Sequence, residues 1–146
     1  MALSEAFIRA QTVRARPLLV PEITLHLATA ITPIWQATEA WLEETGIAPP
    51  FWAFAWPGSQ ALARYVLDNR DAVAGRRVLD FACGCGLAAI ACALAGAASV
   101  EATDIDPMAA AATALNAVEN GVRVQARCGD VVGEACRWDA LLCGDV

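Results

Sequence analysis

The chain has 146 residues with 16 acidic and 10 basic side chains, all ten of the latter arginines, and its formal net charge is −6. Because hydrophobic residues make up 58% and charged residues 18%, the composition excludes a chain kept disordered by charge, and the length suits one domain with a sizeable core. An acidic chain lacks the basic face that nucleic-acid binding requires, so nucleic acid is not expected as a partner.

Residues 1–48 are predicted to form an N-terminal cap of helical and extended chain. Residues 1–16 favour a short helix, which a proline at position 17 ends. Residues 23–27 alternate between apolar and polar side chains, which predicts a strand with His26 on its exposed, polar face. Residues 32–46 favour a second helix, which a Thr-Pro pair begins and a glycine ends.

A loop rich in proline and aromatic residues begins the rest of the chain, residues 49–146. Four of the six residues from 51 to 56 are aromatic, and three prolines lie beside them. A segment interrupted in this way cannot be a regular core element. Some of these rings are therefore expected to line a pocket.

From residue 77 onward, strand and helix patterns alternate. Helices of about ten residues between strands allow crossover connections, so the pattern predicts an α/β domain with a parallel sheet. Strands are predicted at residues 78–81, 99–103, 122–126 and 140–144, and helices at residues 87–95 and 106–120.

The uncharged run of residues 81–100 is long enough to cross a bilayer. It contains three glycines and lacks a basic anchor at either end, so a strand end, a turn and a short helix explain it better. No membrane partner is expected. The N-terminus lacks the apolar segment of a signal peptide, and a cytoplasmic location is expected.

The six cysteines include no C-x-x-C pair, and His26 is the only histidine of the sequence. A tetrahedral zinc site needs four well-spaced ligands, usually in two close pairs, so no metal is expected. The cysteines are predicted to be reduced and to fill a core as small apolar side chains.

The most informative segment is the glycine-rich turn predicted between the first sheet strand and its helix. Asp80 lies near the end of the strand, Gly84 and Gly86 let a ligand approach the backbone, and Asp104 ends the next strand, where a carboxylate can bind ribose hydroxyls. The spacing fits the dinucleotide fingerprint G-x-G-x-x-A, which would imply NAD. It also resembles D-x-G-x-G-x-G, the first motif of class I S-adenosylmethionine-dependent methyltransferases, with Ala82 in the first glycine position.

The charge of the Asp80 carboxylate favours the second interpretation. A pyrophosphate would be repelled, whereas S-adenosylmethionine carries an ammonium and a sulfonium. At 4 Å and an effective dielectric of 20, a unit charge pair is worth about 4 kcal/mol, so the sign of the ligand charge matters.

Other segments resemble one branch of that class, the bacterial electron-transfer-flavoprotein β-subunit lysine methyltransferases. The resemblance extends over about residues 18–146, and its most specific part is the aromatic loop. The segments that carry it are residues 51–58 (FWAFAWPG), 61–65 (ALARY), 104–107 (DIDP) and 138–146 (WDALLCGDV).

The resemblance implies a Rossmann-like class I methyltransferase fold, S-adenosyl-L-methionine as cofactor and a protein substrate, for which the family points to the electron transfer flavoprotein β-subunit. It implies that Trp56 lies near the cofactor, that Ala82, Gly84 and Gly86 surround its methionine portion, that Asp104 binds the ribose and that Asp130 binds the adenine. Asp80 and Ile105 complete the expected cofactor-binding set.

Asp145 is the candidate catalytic residue, because it would open the acidic-x-x-aromatic motif of the family. The aromatic partner would stand two positions beyond Val146. The family's sheet has seven strands and only four are found, so the fourth strand would be an unpaired edge. We therefore expect either a truncated product or self-association through that edge.

Three alternatives stay open at this point. The acceptor could be a small amine or another protein, such as a ribosomal one. The chain could be a non-catalytic cofactor-binding module. It could also be an NAD-dependent oxidoreductase, although Asp80 and the lack of a candidate hydride-transfer acid disfavour this.

Overall fold

A computed structural model describes residues 2–30, 32, 34, 39–46 and 48–146. The chain begins with helix α1 (Ala2–Gln11) and a hairpin of strands β1 (Val13–Ala15) and β2 (Leu25–Leu27). The remaining elements follow in chain order: α2 (Glu39–Thr45), α3 (Pro57–Asp68), β3 (Arg77–Phe81), α4 (Leu87–Leu94), β4 (Ser99–Asp104), α5 (Pro107–Glu119), β5 (Gln125–Cys128) and β6 (Ala140–Cys143).

The four strands β3 to β6 form one parallel sheet in the order β5-β4-β3-β6. Helix α4 consists of small and apolar side chains, and six of its eight residues are buried. They pack with Val78, Val100 and Ala102 in the main core. The predicted α/β class and the four parallel strands are confirmed.

The N-terminal prediction is wrong in two respects. The first helix ends at Gln11, and residues 13–15 form a strand that pairs with β2. His26 is 3% exposed rather than on a surface face. An alternating pattern predicts an exposed face only where no other element covers that face. Here helix α5 covers it, and the backbone N–H of His26 donates to Asn116 Oδ1 on that helix.

The predicted helix over residues 32–46 is described only in part. Helix α2 ends at Thr45, and Gly46 follows with φ +68°, the left-handed conformation expected at a helix end. Residues 33 and 35–38 of this prediction lie outside the described residues. The third sheet strand is also displaced: β5 begins at Gln125 rather than at residue 122.

The six cysteines divide into two groups. Cys83, Cys85 and Cys92 are buried as predicted, whereas Cys128, Cys136 and Cys143 are exposed, so the prediction of a core role is wrong for half of them. Burial raises the pKa of Cys85 and that of Cys92 to about 12 each, which keeps these two thiols protonated.

Within the described residues, no helix has the length and hydrophobicity to cross a membrane. The uncharged run of residues 81–100 folds instead into the end of β3, the glycine turn, α4 and the start of β4. At the other side of the sheet, β6 pairs with β3 along one edge only, among the strands described, and Leu141 on it is 60% exposed.

Candidate functional site

The glycine turn occupies residues 82–86, between β3 and α4. Gly84 and Gly86 adopt φ values of +54° and +79°. A Cβ atom built on Gly84 would have nothing within 4 Å, so this part of the backbone faces open space. A Cβ on Gly86 would lie 2.7 Å from the side chain of Thr113. Gly84 therefore permits a ligand to approach, whereas Gly86 permits helix α5 to pack.

Ala82 has φ +54°, the one positive value among the described residues other than glycine. A left-handed conformation costs a residue with a Cβ about 1–2 kcal/mol. We expect Ala82→Gly to raise the free energy of unfolding by up to about 1 kcal/mol, because part of the relieved strain is offset by the greater entropy of glycine in the unfolded chain. Urea unfolding measures this, with Ala95→Gly, at a right-handed residue, as the destabilising control. An Ala82→Gly variant no more stable than wild type would contradict the strain.

The side chain of Asp104 holds the turn from the neighbouring strand. Its Oδ2 accepts a hydrogen bond from Gly84 N at 3.0 Å, and its Oδ1 accepts one from Asp106 N at 3.0 Å. Each carboxylate oxygen has a second lone pair, so Asp104 can accept further hydrogen bonds from a ligand. Asp106 in turn caps α5 by accepting from Met108 N at 2.8 Å.

Asp80 lies behind the turn and does not line the cavity. It is 3% exposed, and its Oδ2 accepts a hydrogen bond from Ala89 N at 3.0 Å. The pKa of Asp80 is raised to about 7, chiefly because burial removes its hydration; the hydrogen bond from Ala89 lowers this pKa and the charge of Asp104 raises it. Asp80 therefore does not touch a ligand in the cavity, and any effect of its charge is exerted through the turn.

A cavity of about 710 Å³ opens above the glycine turn, within the size range of small-molecule sites. Three carboxylates face it, and no Arg, Lys or His stands among its lining in the described part of the chain. Its wall includes residues of the aromatic loop, the turn, the ends of β4 and β6 and the start of α5: Phe51, Trp52, Phe54, Trp56, Ser59, Ala82, Cys83, Gly84, Cys85, Asp104, Ile105, Asp106 and Asp145.

The aromatic loop forms one wall of the cavity, as its prolines and rings predict. The indole N–H of Trp56 donates to the carbonyl oxygen of Phe51 at 2.8 Å, which fixes the orientation of the ring. The ring centroids of Phe51 and Phe54 lie 6.1 and 5.6 Å from that of Trp56. These are the separations of favourable tilted aromatic pairs, so the wall is held together by its own rings.

Asp145 follows β6 and reaches the first turn of α3. Its Oδ1 and Oδ2 accept hydrogen bonds from Gly58 N at 3.2 Å and Ser59 N at 3.0 Å. These N–H groups have no partner within a helix, and the carboxylate satisfies them. A Cβ on Gly58 would lie 2.8 Å from Asp145 Oδ2, so the contact requires glycine at this position.

The structure brings together six of the residues predicted for the site and separates three. Asp80, Gly86 and Asp130 do not line the cavity; Asp130 is exposed, and its Oδ1 accepts from Val132 N at 2.8 Å. The six that line it are Trp56, Ala82, Gly84, Asp104, Ile105 and Asp145.

Sequence reasoning missed the part played by Asn116. This fully buried side chain accepts from His26 N and donates to Cys85 O, each at 2.8 Å, so it supports the glycine turn from behind. In the sequence alone, an asparagine within a predicted helix fits an amide on the helix surface equally well. Gly58 and Ser59 were also missed as partners of Asp145, because 86 or more residues separate them from it.

Residues 60–142 match the family described as ribosomal protein L11 methyltransferase (PrmA), which is more than half of the chain. The chain belongs to the PrmA methyltransferase family. This decides between the two interpretations of the glycine turn in favour of a methyltransferase, so the oxidoreductase alternative is wrong.

Two curated relatives agree with this placement. The electron transfer flavoprotein beta subunit lysine methyltransferase of Danio rerio is 45% identical over 131 residues, 88% of this chain and 49% of the relative. The Xenopus laevis protein of the same name is 41% identical over 144 residues, which are 97% of this chain and 57% of the relative. The chain thus spans about half the length of these relatives.

A 16S rRNA methyltransferase of T. thermophilus, solved with AdoMet and guanosine, superposes with a TM-score of 0.60. It is 21% identical, and the match covers 90% of this chain and 32% of the other. At this identity the likeness concerns the fold alone. It agrees with the Rossmann-like methyltransferase fold that the resemblance implies.

Proposed function

We propose that this chain binds S-adenosyl-L-methionine and carries the cofactor site of an enzyme that methylates a lysine side chain of a protein substrate. The observation that carries the proposal is the hydrogen bond between Asp104 and Gly84, which joins an open glycine turn to the carboxylate proposed to bind ribose in the wall of one cavity. The electron transfer flavoprotein β-subunit is the proposed substrate, because relatives that match 88% and 97% of this chain are named as lysine methyltransferases of that subunit.

The residues of the cavity fit such a cofactor. The space above Gly84 is open, the oxygens of Asp104 can accept from ribose hydroxyls, and the exposed side chain of Ile105 offers an apolar surface beside them. The acidic lining suits a ligand with a net positive charge. Asp130, at the end of β5, is the proposed acceptor of the adenine amino group when the ligand extends beyond the cavity.

The bound cofactor would supply an electrophilic methyl group, so the chain's own residues have to position an amine. Orientation of two reactants can contribute roughly 7–11 kcal/mol to a barrier. Asp145 faces the cavity with its carboxylate fixed on α3, where it can orient the amine or receive its proton. A lysine amine with a pKa of about 10.4 must lose that proton to react. The wall containing Phe51 and Trp56 would exclude water.

A second candidate substrate is a ribosomal protein, because the matching family is described by its action on ribosomal protein L11. A small amine fits the cavity as well. The acidic and aromatic lining would attract any alkylammonium group and does not by itself distinguish these acceptors.

Calorimetric titration with S-adenosylmethionine, S-adenosylhomocysteine and NAD tests the cofactor proposal, and we expect binding of the first two only.

Transfer of labelled methyl groups to electron transfer flavoprotein β-subunit, with ribosomal protein L11 and free lysine in parallel, tests the substrate. Asp145→Asn should abolish transfer and leave cofactor affinity within about twofold, whereas Asp71→Asn, on the surface, should change neither. Binding without transfer to any acceptor would leave the chain a cofactor-binding module.

We also propose that a second copy pairs with the free edge of β6, on which Leu141 is 60% exposed. Sedimentation that gives a monomer at all concentrations would contradict this.

A cytoplasmic location is proposed as well, in keeping with six free thiols of which three are exposed. Cell fractionation that places the protein elsewhere would overturn it.

A further inference from the structure

The charges around the cofactor cavity all have one sign. The carboxylates of Asp104, Asp106 and Asp145 line it, and among the described residues no basic side chain does. Behind the turn, Asp80 adds a fourth carboxyl group, buried and held by a single backbone N–H. A positive charge above Gly84 would therefore meet no compensating cation in the wall, only carboxyl groups on both sides of the turn.

Asp80 is the one of these four carboxyl groups that is buried away from water. Burial, with a contribution from the charge of Asp104, raises the pKa of Asp80 to about 7, so that the carboxylic acid and the carboxylate are both populated near neutral pH. The groups that face it are the Ala89 N–H and the Cys92 thiol on α4, the Cys83 and Cys85 thiols on the turn, and the Asp104 carboxylate on β4.

We propose that Asp80 makes the site distinguish the cationic methyl donor from its uncharged thioether product. When a sulfonium occupies the space above the turn, the Asp80 carboxylic acid releases its proton to solvent and remains as the carboxylate. The thioether of S-adenosylhomocysteine brings no such charge and leaves the proton in place. This inference rests on the proposed cofactor, and it assigns Asp80 a role in specificity although it touches no ligand.

The direction of the pH dependence follows from linkage. Below pH 7 Asp80 is protonated in the free protein, and binding of the cation has to expel a proton. Above pH 7 the carboxylate is already present, and binding of the cation is stronger. Between pH 6 and pH 8 the preference for S-adenosylmethionine over S-adenosylhomocysteine should therefore increase, by up to about tenfold.

Titration calorimetry of the full chain in two buffers of different ionisation enthalpy measures the proton release. At pH 7 we expect S-adenosylmethionine to release a measurable fraction of a proton more from wild type than from Asp80→Asn. With S-adenosylhomocysteine the two proteins should release equal numbers. The α-amino groups of the ligands titrate in both proteins, so this comparison removes their contribution. Asp71→Asn, the same change at an exposed position, should behave as wild type.

Three outcomes would overturn the proposal. An equal proton count for wild type and Asp80→Asn with the cationic ligand removes the role of Asp80 alone. If Asp80→Asn fails to fold, wild type alone provides the test: a preference between the two ligands that does not change with pH would exclude the proposed role of Asp80. Binding of neither ligand overturns the proposed cofactor, and this inference with it.

Discussion

Replacing Asp104 with alanine is expected to lower the affinity for S-adenosylmethionine at least about a hundredfold. The side chain holds Gly84 N and Asp106 N, and it is the proposed partner of the ribose. Each hydrogen bond to a charged group contributes about 1.5–3 kcal/mol, and each 1.4 kcal/mol is tenfold in affinity. Titration calorimetry at constant pH measures the change.

Two control variants separate the causes of this loss. Asp104→Asn keeps one acceptor and the shape of the side chain, so its affinity should lie between those of alanine and wild type. Asp71→Ala removes an exposed carboxylate outside the cavity and should leave the affinity unchanged. If Asp104→Ala bound the ligand as tightly as wild type, the proposed site would be in the wrong place.

Replacing Asn116 with alanine is expected to lower the free energy of unfolding by about 3 kcal/mol. The change leaves the His26 N–H and the Cys85 carbonyl without their buried partner, at about 1–3 kcal/mol for each group, and it opens a small cavity. Urea unfolding followed by circular dichroism measures the loss. Because Cys85 belongs to the glycine turn, cofactor affinity should fall as well.

Val118→Ala is the matched control for this variant. Val118 lies on the same helix, α5, but is 76% exposed, so the expected change is within about 0.5 kcal/mol. Asn116→Asp keeps the acceptor for His26 and loses the donor for Cys85, and it should be destabilised at neutral pH. An Asn116→Ala protein with wild-type stability would mean that solvent replaces the lost contacts.

The parts of the structure that local signals govern could be predicted from the sequence. The strand before the glycine turn, the turn itself and the cap of α5 at Asp106 each depend on residues within a few positions of one another. Asp104 could be predicted as well, because carboxyl ends of parallel strands meet at the same edge of a sheet. The aromatic loop was recognised as a pocket wall because its prolines exclude a regular element.

The parts that depend on distant contacts could not be predicted. The pairing of His26 with Asn116 spans 90 residues, and no periodicity in either segment indicates the other. Asp145 was expected near the site, yet its attachment to α3 depends on the absence of a side chain at Gly58, 87 positions earlier. The burial of the Asp80 side chain behind the turn depends on the register of its strand, because a shift of one residue would move that side chain to the opposite face of the sheet.

The contacts of strand β2 have a consequence for how the protein melts. Val20, Ile23, Leu25 and Leu27 belong to the same hydrophobic cluster as the sheet and α4. The backbone N–H groups of Thr24 and His26 donate to Asn120, at the end of α5, and to Asn116. The segments on either side of residue 48 are therefore expected to lose their structure together, in one calorimetric transition. A gene fragment that begins at residue 49 would then yield an insoluble product rather than an independent nucleoside-binding unit.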